Sequence, residues 1–278
     1  MIRTMTTATN TMNQLQKKLD VIGNNLANSG TNGFKASSAS FQELLYQQFD
    51  NEKADTAPRQ SPTGIRYGAG AMLGQAQMNW KAGSLQLTDR QLDFALTTPK
   101  QYFNVLMPID GQEQTVYTRQ GAFSVSPVAD GQLMLVTNEG HAVADSAGSP
   151  ITFSDDVSEY AVGPTGQLRL TQSNGTIEEI ELAVSVIEQP NLMQQLSGTY
   201  IGLPENMIEL GVAPQDVVTN LQGVDRNQIA IENSALEGSN VNYEKEMTDL
   251  ITVQRSYQLN ARAVTLADQM LGLINGIR

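Results

Sequence analysis

The first 26 residues carry an apolar repeat whose members are spaced alternately four and three residues apart, without interruption. Thr, Asn, Gln and Lys fill most of the positions between them, so the apolar surface is a narrow seam rather than the broad face of an ordinary surface helix. The repeat predicts a helix about 40 Å long, at ~1.5 Å per residue. Its seam needs a partner helix, and the members of that seam are Met1, Met5, Ala8, Met12, Leu15, Leu19, Ile22 and Leu26.

The C-terminal segment repeats the seam and adds a second apolar stripe beside it. Asn260 is the one polar member of this seam, and such a residue fixes helix register at some cost in stability. A single partner helix covers only one of the two surfaces. The seam comprises Leu250, Val253, Tyr257, Asn260, Val264, Ala267, Leu271 and Ile274. The second stripe comprises Leu259, Ala263, Leu266, Met270, Leu273 and Ile277.

Two arrangements would cover both surfaces. In one, the terminal helices form a hairpin within the chain and the second stripe lies in the core of a domain. In the other, further copies of the chain cover what one copy leaves exposed. Pairing the two ends closes a very long loop, and the sequence between them is not helical. We therefore expect coiled coils between copies, and free monomers whose ends are disordered or self-associating.

Composition excludes several classes of function. A formal net charge of −12 argues against binding to nucleic acid, which needs clustered Lys and Arg, and against binding to anionic membranes. The chain has no cysteine, which removes disulfides, thiol nucleophiles and thiolate metal sites. No segment reaches the ~18 apolar residues of a membrane span. The N-terminus has no apolar h-region and no small-residue cleavage site, so we expect export without a cleaved signal peptide.

The middle of the chain is predicted to be antiparallel β structure. Short β-type runs such as TVYTR, AFSVS, LMLVT, GQLRLTQ and ELAVSVIE alternate with turn signals, a pattern typical of hairpins in a sheet or small barrel. Before it, proline and glycine mark an extended arm, and the arm's first part, SSASFQELLYQQF, is expected to add one or two helical turns. The turn signals are Asp110-Gly111, Asp130-Gly131, Asn138-Glu139-Gly140 and Asn174-Gly175.

The predicted fold class is mixed α and β, with N- and C-terminal coiled-coil helices, extended arms and a central antiparallel β domain. The expected segments are an N-terminal helix over 1–33, an arm over 34–82, the β domain over 83–189, a returning arm over 190–235 and a C-terminal helix over 236–278.

No catalytic constellation is visible in the sequence. The glycines of GAGAMLG at 68–74 lack the G-x-G-x-x-G spacing, and P-loop, H-E-x-x-H and G-x-S-x-G motifs are absent. His141, the single histidine, falls in a predicted hairpin turn, where a solvated side chain is the usual finding. Asp155 and Asp156 are adjacent, so on a strand they point to opposite faces. We expect no enzyme activity, no cofactor and no metal.

Four stretches of the chain occur in an informative order. They are LDVIGNNLANSGTNGFK (19–35), GSLQLTDRQLDFAL (83–96), YTRQGAFSVS (117–126) and LEGSNVNYEKEMTDLITVQRSYQLNARAVTLADQML (236–271). Together they resemble the bacterial flagellar rod and hook family. With one β domain, the chain is most similar to the longer rod proteins, including the distal type.

The resemblance implies a structural subunit of the flagellar basal-body rod. Such a subunit would be exported through the flagellar type III apparatus, would polymerise with itself and would contact other rod and hook proteins. The polymer would be a hollow axle that transmits torque for motility.

The seams and the resemblance assign residues to assembly. Those expected to form coiled coils are Met5, Met12, Leu15, Leu19, Ile22, Leu26, Leu250, Val253, Tyr257, Val264, Leu271 and Ile274. Those expected to contact other subunits are Asn24, Asn25, Asn28, Phe34, Leu259, Leu266, Met270 and Leu273. Asn24, Asn25 and Asn28 are expected at outer positions of the helix, away from the seam. Uncharged amides there suit a crowded tube wall, because a buried unpaired charge is costly. Gly30, Asn32 and Gly33 are expected to end the helix in left-handed conformations, and Phe34 to anchor the turn into the arm.

Two other classes of function remain open at this point. A secreted adhesin or stalk that presents a β head predicts a Sec signal or an outer-membrane anchor. An enzyme with an unusual site in the β domain predicts convergent titratable residues. Neither feature is visible in the sequence.

Overall fold

The computed structural model describes residues 2–43, 47–49, 65–67, 71–109, 111–128, 131–204, 207 and 211–276. The chain divides into two compact units, each assembled from separate stretches. The helical unit comprises Met1–Ala27, Ser37–Gln77 and Asn242–Arg278, and the β unit comprises Asn28–Ala36 and Met78–Val241. Within the described ranges, no helix is long and apolar enough to cross a membrane.

The helical unit is built on two long helices, α1 (Ile2–Ala27) and α2 (Tyr243–Gly276). They pack against each other along the two predicted seams, and Leu15, Ile22 and Val253 are the buried residues of the cluster between them. Asn242 caps α2, because its side-chain oxygen accepts a hydrogen bond from the Lys245 amide at 3.0 Å. A hairpin within the chain therefore covers part of the seams, including Leu15, Ile22 and Val253. This is the arrangement that the loop-closure argument disfavoured.

Short strands make up most of the remaining described residues of the helical unit. The prediction of helical turns in SSASFQELLYQQF is wrong for its described residues, which are extended. Phe41 explains part of this, since its ring joins the cluster between the helices and its strand pairs with a later one, Phe41 opposite Leu73. The strands are β1 (Ser37–Ser38), β2 (Phe41–Glu43), β3 (Gln47–Phe49), β4 (Ile65–Tyr67), β5 (Ala71–Leu73) and β6 (Gln77–Met78).

Both long helices are shorter than predicted. The N-terminal helix ends at Ala27 rather than near residue 33, and Asn28 begins a turn in which its carbonyl accepts the Thr31 amide at 3.1 Å. The C-terminal helix begins at Tyr243, so residues 236–242 precede it. Gly33 has the expected positive φ of +74°, whereas Gly30 and Asn32 do not adopt this conformation.

The β unit is largely one antiparallel sheet. In the described residues ten strands join it, in the main order β11-β12-β13-β9-β10-β20-β19, and β9 also pairs with β18. The described strands of the whole β unit, in chain order, are β7 (Leu85–Leu87), β8 (Phe94–Leu96), β9 (Gln101–Ile109), β10 (Gln112–Thr118), β11 (Phe123–Pro127), β12 (Gln132–Thr137), β13 (Ala142–Val143), β14 (Thr152–Ser154), β15 (Val157–Val162), β16 (Gln167–Gln172), β17 (Ile177–Glu181), β18 (Val184–Ile187), β19 (Gln194–Ser197), β20 (Tyr200–Gly202), β21 (Val218–Asn220), β22 (Ile231–Asn233) and β23 (Ala235–Glu237).

Smaller pairings complete the β unit. Strands β15, β16 and β17 form a three-stranded sheet, β22 pairs with β8, and β23 pairs with β7. The main core gathers aromatic and aliphatic side chains from several of these strands, with Phe94, Phe103 and Phe123 fully buried. A four-residue helical turn, Pro214–Val217, and 3-10 turns at Pro190–Leu192 and Gly223–Gln228 lie in the connections.

The hairpin prediction is confirmed where the structure describes it. Gly111, Gly131, Gly140 and Gly175 all have positive φ, between +70° and +89°, as their turns require. The sheet also extends further than predicted, because residues expected in a returning arm supply β19, β20 and β21.

Candidate functional site

The second apolar stripe of α2 is exposed over its described residues, and its last member, Ile277, lies outside the residues that the structure describes. Leu259, Leu266, Met270 and Leu273 are 64%, 58%, 46% and 69% exposed. Four large apolar side chains on one helix face form a contiguous apolar surface, and such surfaces on soluble chains mark interaction sites. The hairpin arrangement alone would have required the stripe to lie in a domain core, and the stripe does not lie there.

A groove lies on the helical unit between α1 and α2, with a volume of about 360 Å³. Two stripe leucines each follow a groove residue by two positions, Leu259 after Tyr257 and Leu266 after Val264. This offset is a rotation of about 200° about the helix axis, so the stripe and the groove lie on opposite sides of α2. The groove is lined by Thr9, Met12, Asn13, Gln16, Tyr257, Ala261 and Val264.

Six of the residues predicted to form coiled coils lie in the cluster between α1 and α2, namely Leu15, Leu19, Ile22, Leu250, Val253 and Tyr257. Leu15, Ile22 and Val253 are buried, while Ile274, near the end of α2, is 52% exposed. The remaining members are half-buried: Met5, Met12, Leu19, Leu26, Leu250, Tyr257, Val264 and Leu271.

The asparagines after the seam have different surroundings. Asn24 is exposed and Asn28 is half-buried. Asn25 is only 1% exposed, so its expected outer position is wrong. Asn25 follows Ile22 by three residues, and residues three apart share a helix face. Its amide donates to the Ser37 carbonyl at 2.8 Å and accepts the Ser37 amide at 2.9 Å.

Phe34 is also buried, at 1% exposure, in the segment that follows α1. A ring so enclosed has almost no surface to offer another subunit, so its expected contact with one does not fit this structure. Its carbonyl accepts the Asn240 amide at 3.4 Å. Phe34 therefore anchors its own segment inside the β unit.

A buried ionic cluster forms inside the β unit around Glu237. One carboxylate oxygen accepts the Lys35 ammonium at 2.6 Å and the Gly83 amide at 2.7 Å. The other accepts the Arg119 Nε–H. The side chains of Lys35, Glu237 and Arg119 are between 1% and 5% exposed. We refer to these three residues as the ionic cluster.

Arg119 ties this cluster to the sheet. Its Nη1 donates to the carbonyls of Thr98 and Gln101, both at 2.9 Å, and its Nη2 donates to the Leu96 carbonyl at 2.6 Å. The guanidinium also lies 5.7 Å from the centre of the Tyr102 ring, within the range of a cation–π contact. A buried guanidinium so fully bonded is held in one position.

Burial shifts ionisation equilibria at the cluster. Desolvation lowers the pKa of Lys35, and the neighbouring Glu237 carboxylate opposes that shift. Burial also raises the pKa of Tyr102 well above its ordinary value. The Glu237 carboxylate thus favours the charged form of Lys35 against the cost of its burial.

Close backbone contacts around the cluster demand glycine. A Cβ on Gly33 would lie 2.5 Å from the Gln120 nitrogen, and the residue already has φ of +74°. A Cβ on Gly83 would collide with the Gly238 carbonyl. These glycines allow the segments that carry Lys35 and Glu237 to pack directly on their neighbours.

Sequence reasoning missed the ionic cluster. Its members lie in the quoted stretches GFK, YTRQG and LEGSN, but the ion pairs to Glu237 span 202 residues from Lys35 and 118 from Arg119. A signal was available, because an isolated charge amid glycine and apolar residues often has a buried partner. Among the described residues, no group of His, Asp or Glu has the arrangement of a metal site.

Comparison with known proteins decides the family. A protein of Bacillus subtilis named flagellar hook-basal body complex protein FlhP is 39% identical, over 100% of both chains. Flagellar basal-body rod proteins FlgG of Caulobacter vibrioides and Agrobacterium fabrum are 29% and 30% identical, over 98% or more of each chain. The chain belongs to the flagellar rod and hook family. It is a structural rod subunit, and its location is the flagellar basal body.

Family models match three separate parts of this rod subunit. They are described as flagella basal body rod protein (residues 5–35), flagellar hook protein FlgE/F/G D1 domain (99–170) and flagellar basal body rod FlgEFG protein C-terminal (232–277). Each range contains one member of the ionic cluster: Lys35, Arg119 and Glu237, respectively. The cluster therefore joins the three parts of the chain that carry the family's sequence patterns.

Proposed function

We propose that this rod subunit polymerises with itself through its terminal helices and forms a hollow, torque-transmitting axle. The observation that carries the proposal is the exposed stripe of α2, which lies opposite the groove between α1 and α2. A contact between two different surfaces is heterologous, and where its rotation does not close into a ring it adds subunits without limit. In the polymer the helices would form coiled coils with those of neighbouring copies.

The remaining parts of the proposal follow from the same family membership. Export would proceed through the flagellar type III apparatus. Contacts with other rod and hook proteins would occur at the two ends of the polymer. The relatives are named as parts of the basal body rather than as enzymes, so we propose no catalytic role.

Leu266→Lys tests the stripe. Burying a leucine contributes about 1.5–3 kcal/mol, and a lysine at the same place would be buried unpaired in the polymer. We expect self-association of the purified protein to weaken by more than tenfold, as measured by sedimentation velocity. A deletion strain complemented with this variant should lack rods in electron micrographs and should not swim.

Ile177→Lys is the matched control. Ile177 is 61% exposed, close to the 58% of Leu266, but it lies on β17 in the β unit. This variant should associate and support swimming like the unmodified protein. Normal assembly of Leu266→Lys, or equal loss in both variants, would refute the role of the stripe.

A further inference from the structure

The β unit is joined covalently to the helical unit at four points. The chain passes between the units after residues 27, 36, 77 and 241. The covalent chain next to these points is one path by which a force applied to one unit reaches the other. We call residues 28–36, 78–83 and 237–241 the exit segments of the β unit.

Side chains tie the exit segments to one another. The Lys35 ammonium donates to the Lys81 carbonyl at 2.8 Å, besides its bond to Glu237. The Asn240 amide donates to the carbonyls of Asn79 and Lys81, at 2.7 and 2.9 Å, and accepts the Ala36 amide at 2.7 Å. Two side chains thus connect all three segments.

Backbone bonds run between the same segments. The Gly33 amide donates to the Glu237 carbonyl at 2.7 Å, and the Asn79 amide donates to the Ala36 carbonyl at 2.7 Å. Arg119 then links Glu237 to the carbonyls beside β8 and β9. The exit segments are therefore bonded to each other, and the buried Arg119 guanidinium bonds Glu237 to the strands β8 and β9.

We propose that Lys35, Glu237, Arg119 and Asn240 form a clamp that keeps the exit segments together on the sheet when force is applied to the helical unit. The clamp is a positioning device for the torque-carrying role, and in that respect it rests on the proposed function. Its members hold backbone in place and contact no reacting group.

The ionic character of the cluster favours a clamp over a general contribution to the stability of the β unit. Replacing a buried ion pair with apolar side chains is often neutral or stabilising, so such a pair is weak evidence for stability. Separating its partners, however, leaves charges buried without compensation, which is strongly unfavourable. An ionic cluster therefore contributes little at rest and resists separation steeply. The lowered pKa of Lys35, caused by desolvation, agrees with a high internal cost at rest.

Lys35→Met distinguishes a clamp on the exit segments from a general contribution to the stability of the β unit. Methionine keeps an unbranched apolar stem but lacks the ammonium, and it leaves Glu237 paired with Arg119. We expect the denaturant midpoint of the β unit to stay unchanged. In hydrogen exchange, the amides of Ala36, Asn79 and Gly83 should exchange at least tenfold faster than in the unmodified protein, while Phe103 and Val105 on β9 keep their protection.

Lys81→Met is the control, because the Lys81 side chain is exposed and its carbonyl, which accepts Lys35, remains. It should leave the exchange of all five amides unchanged. Unaltered exchange of Ala36, Asn79 and Gly83 in Lys35→Met would overturn the clamp. So would an equal loss of protection across β9, which would show a general contribution to stability.

These measurements use the purified full chain and do not depend on polymerisation. Normal assembly of Leu266→Lys would overturn the proposed assembly and leave the exchange result standing. In cells, Lys35→Met should build rods, with swimming that slows more in viscous medium than that of the unmodified strain. Equal slowing of the two strains would exclude a role under load.

Discussion

Asn25 lies on α1 with both polar atoms of its amide bonded to the backbone of Ser37, at 2.8 and 2.9 Å. These two bonds have the same pattern as the two N–H···O bonds between a hydrogen-bonded pair of residues in an antiparallel β ladder. It therefore holds the first residue of β1 against the end of α1, within the helical unit. An aspartate in the same place would present an acceptor to the Ser37 carbonyl.

At this scale we predict the effect of Asn25→Ala. The change removes the Asn25 partners of the part-buried N–H and carbonyl of Ser37, and a group left unsatisfied away from water costs about 1–3 kcal/mol. The free energy of unfolding of the helical unit should fall by about 2 kcal/mol, as measured by denaturant titration of the helical circular dichroism.

Asn10→Ala provides the comparison, because Asn10 is an exposed asparagine on the same helix. Its effect should lie within about 0.5 kcal/mol of zero. Similar values for the two variants would show that the bonds between Asn25 and Ser37 contribute nothing measurable.

Strands β20 and β21 show how elements far along the chain complete the sheet. Strand β20 pairs with the end of β10, Tyr117 opposite Ile201, and β21 pairs with β18, Ile187 opposite Val218. Tyr200, at the start of β20, is fully buried and donates its hydroxyl hydrogen to Thr137 at 2.9 Å. The stretch after residue 189 is therefore part of the sheet.

We predict that two fragments differ in folding. Residues 34–240 retain β20, β21 and the ionic cluster, and should give cooperative thermal unfolding with β-type circular dichroism. Residues 83–189 lack both strands and leave Arg119 buried without Glu237, so they should not unfold cooperatively. Cooperative unfolding of the shorter fragment would show that the later strands are accessory.

For the whole molecule, two features have opposite effects on association: the exposed apolar stripe of α2 favours it, and a formal net charge of −12 opposes it. Copies of an acidic chain repel one another, and this repulsion opposes the contact that would bury the stripe. In the proposed assembly, the stripe would drive association only where this repulsion is overcome. Assembly should consequently respond to ionic strength.

We predict stronger self-association as salt rises from about 10 mM to about 100 mM, because the Debye length falls from ~30 Å to ~10 Å. Sedimentation velocity at fixed protein concentration measures the change, with Leu266→Lys as the reference that lacks the stripe contact. Weaker association at higher salt would show that ion pairs, rather than apolar burial, hold the copies together.

The helices, the hairpins and the exposed stripe were predictable from the sequence. The spacing of Leu15, Leu19 and Ile22 is a local property of a helix with ~3.6 residues per turn, and the glycine turns need only neighbouring residues. The same periodicity marked Leu259 and Leu266 as a second surface. The extent of the sheet was not predictable, because β20 and β21 are short and gain their stability from partners far away in the chain.

The sequence by itself determined that the first and last segments form two long helices with matching seams, since periodicity requires no knowledge of distant residues. Only the tertiary structure decided what covers those seams, that Asn25 and Phe34 face inward, and that Lys35, Arg119 and Glu237 meet. The physical reason is the separation of these residues in the sequence. Burial and ion pairing between residues more than one hundred positions apart depend on how the strands between them pair, and no local pattern encodes that pairing.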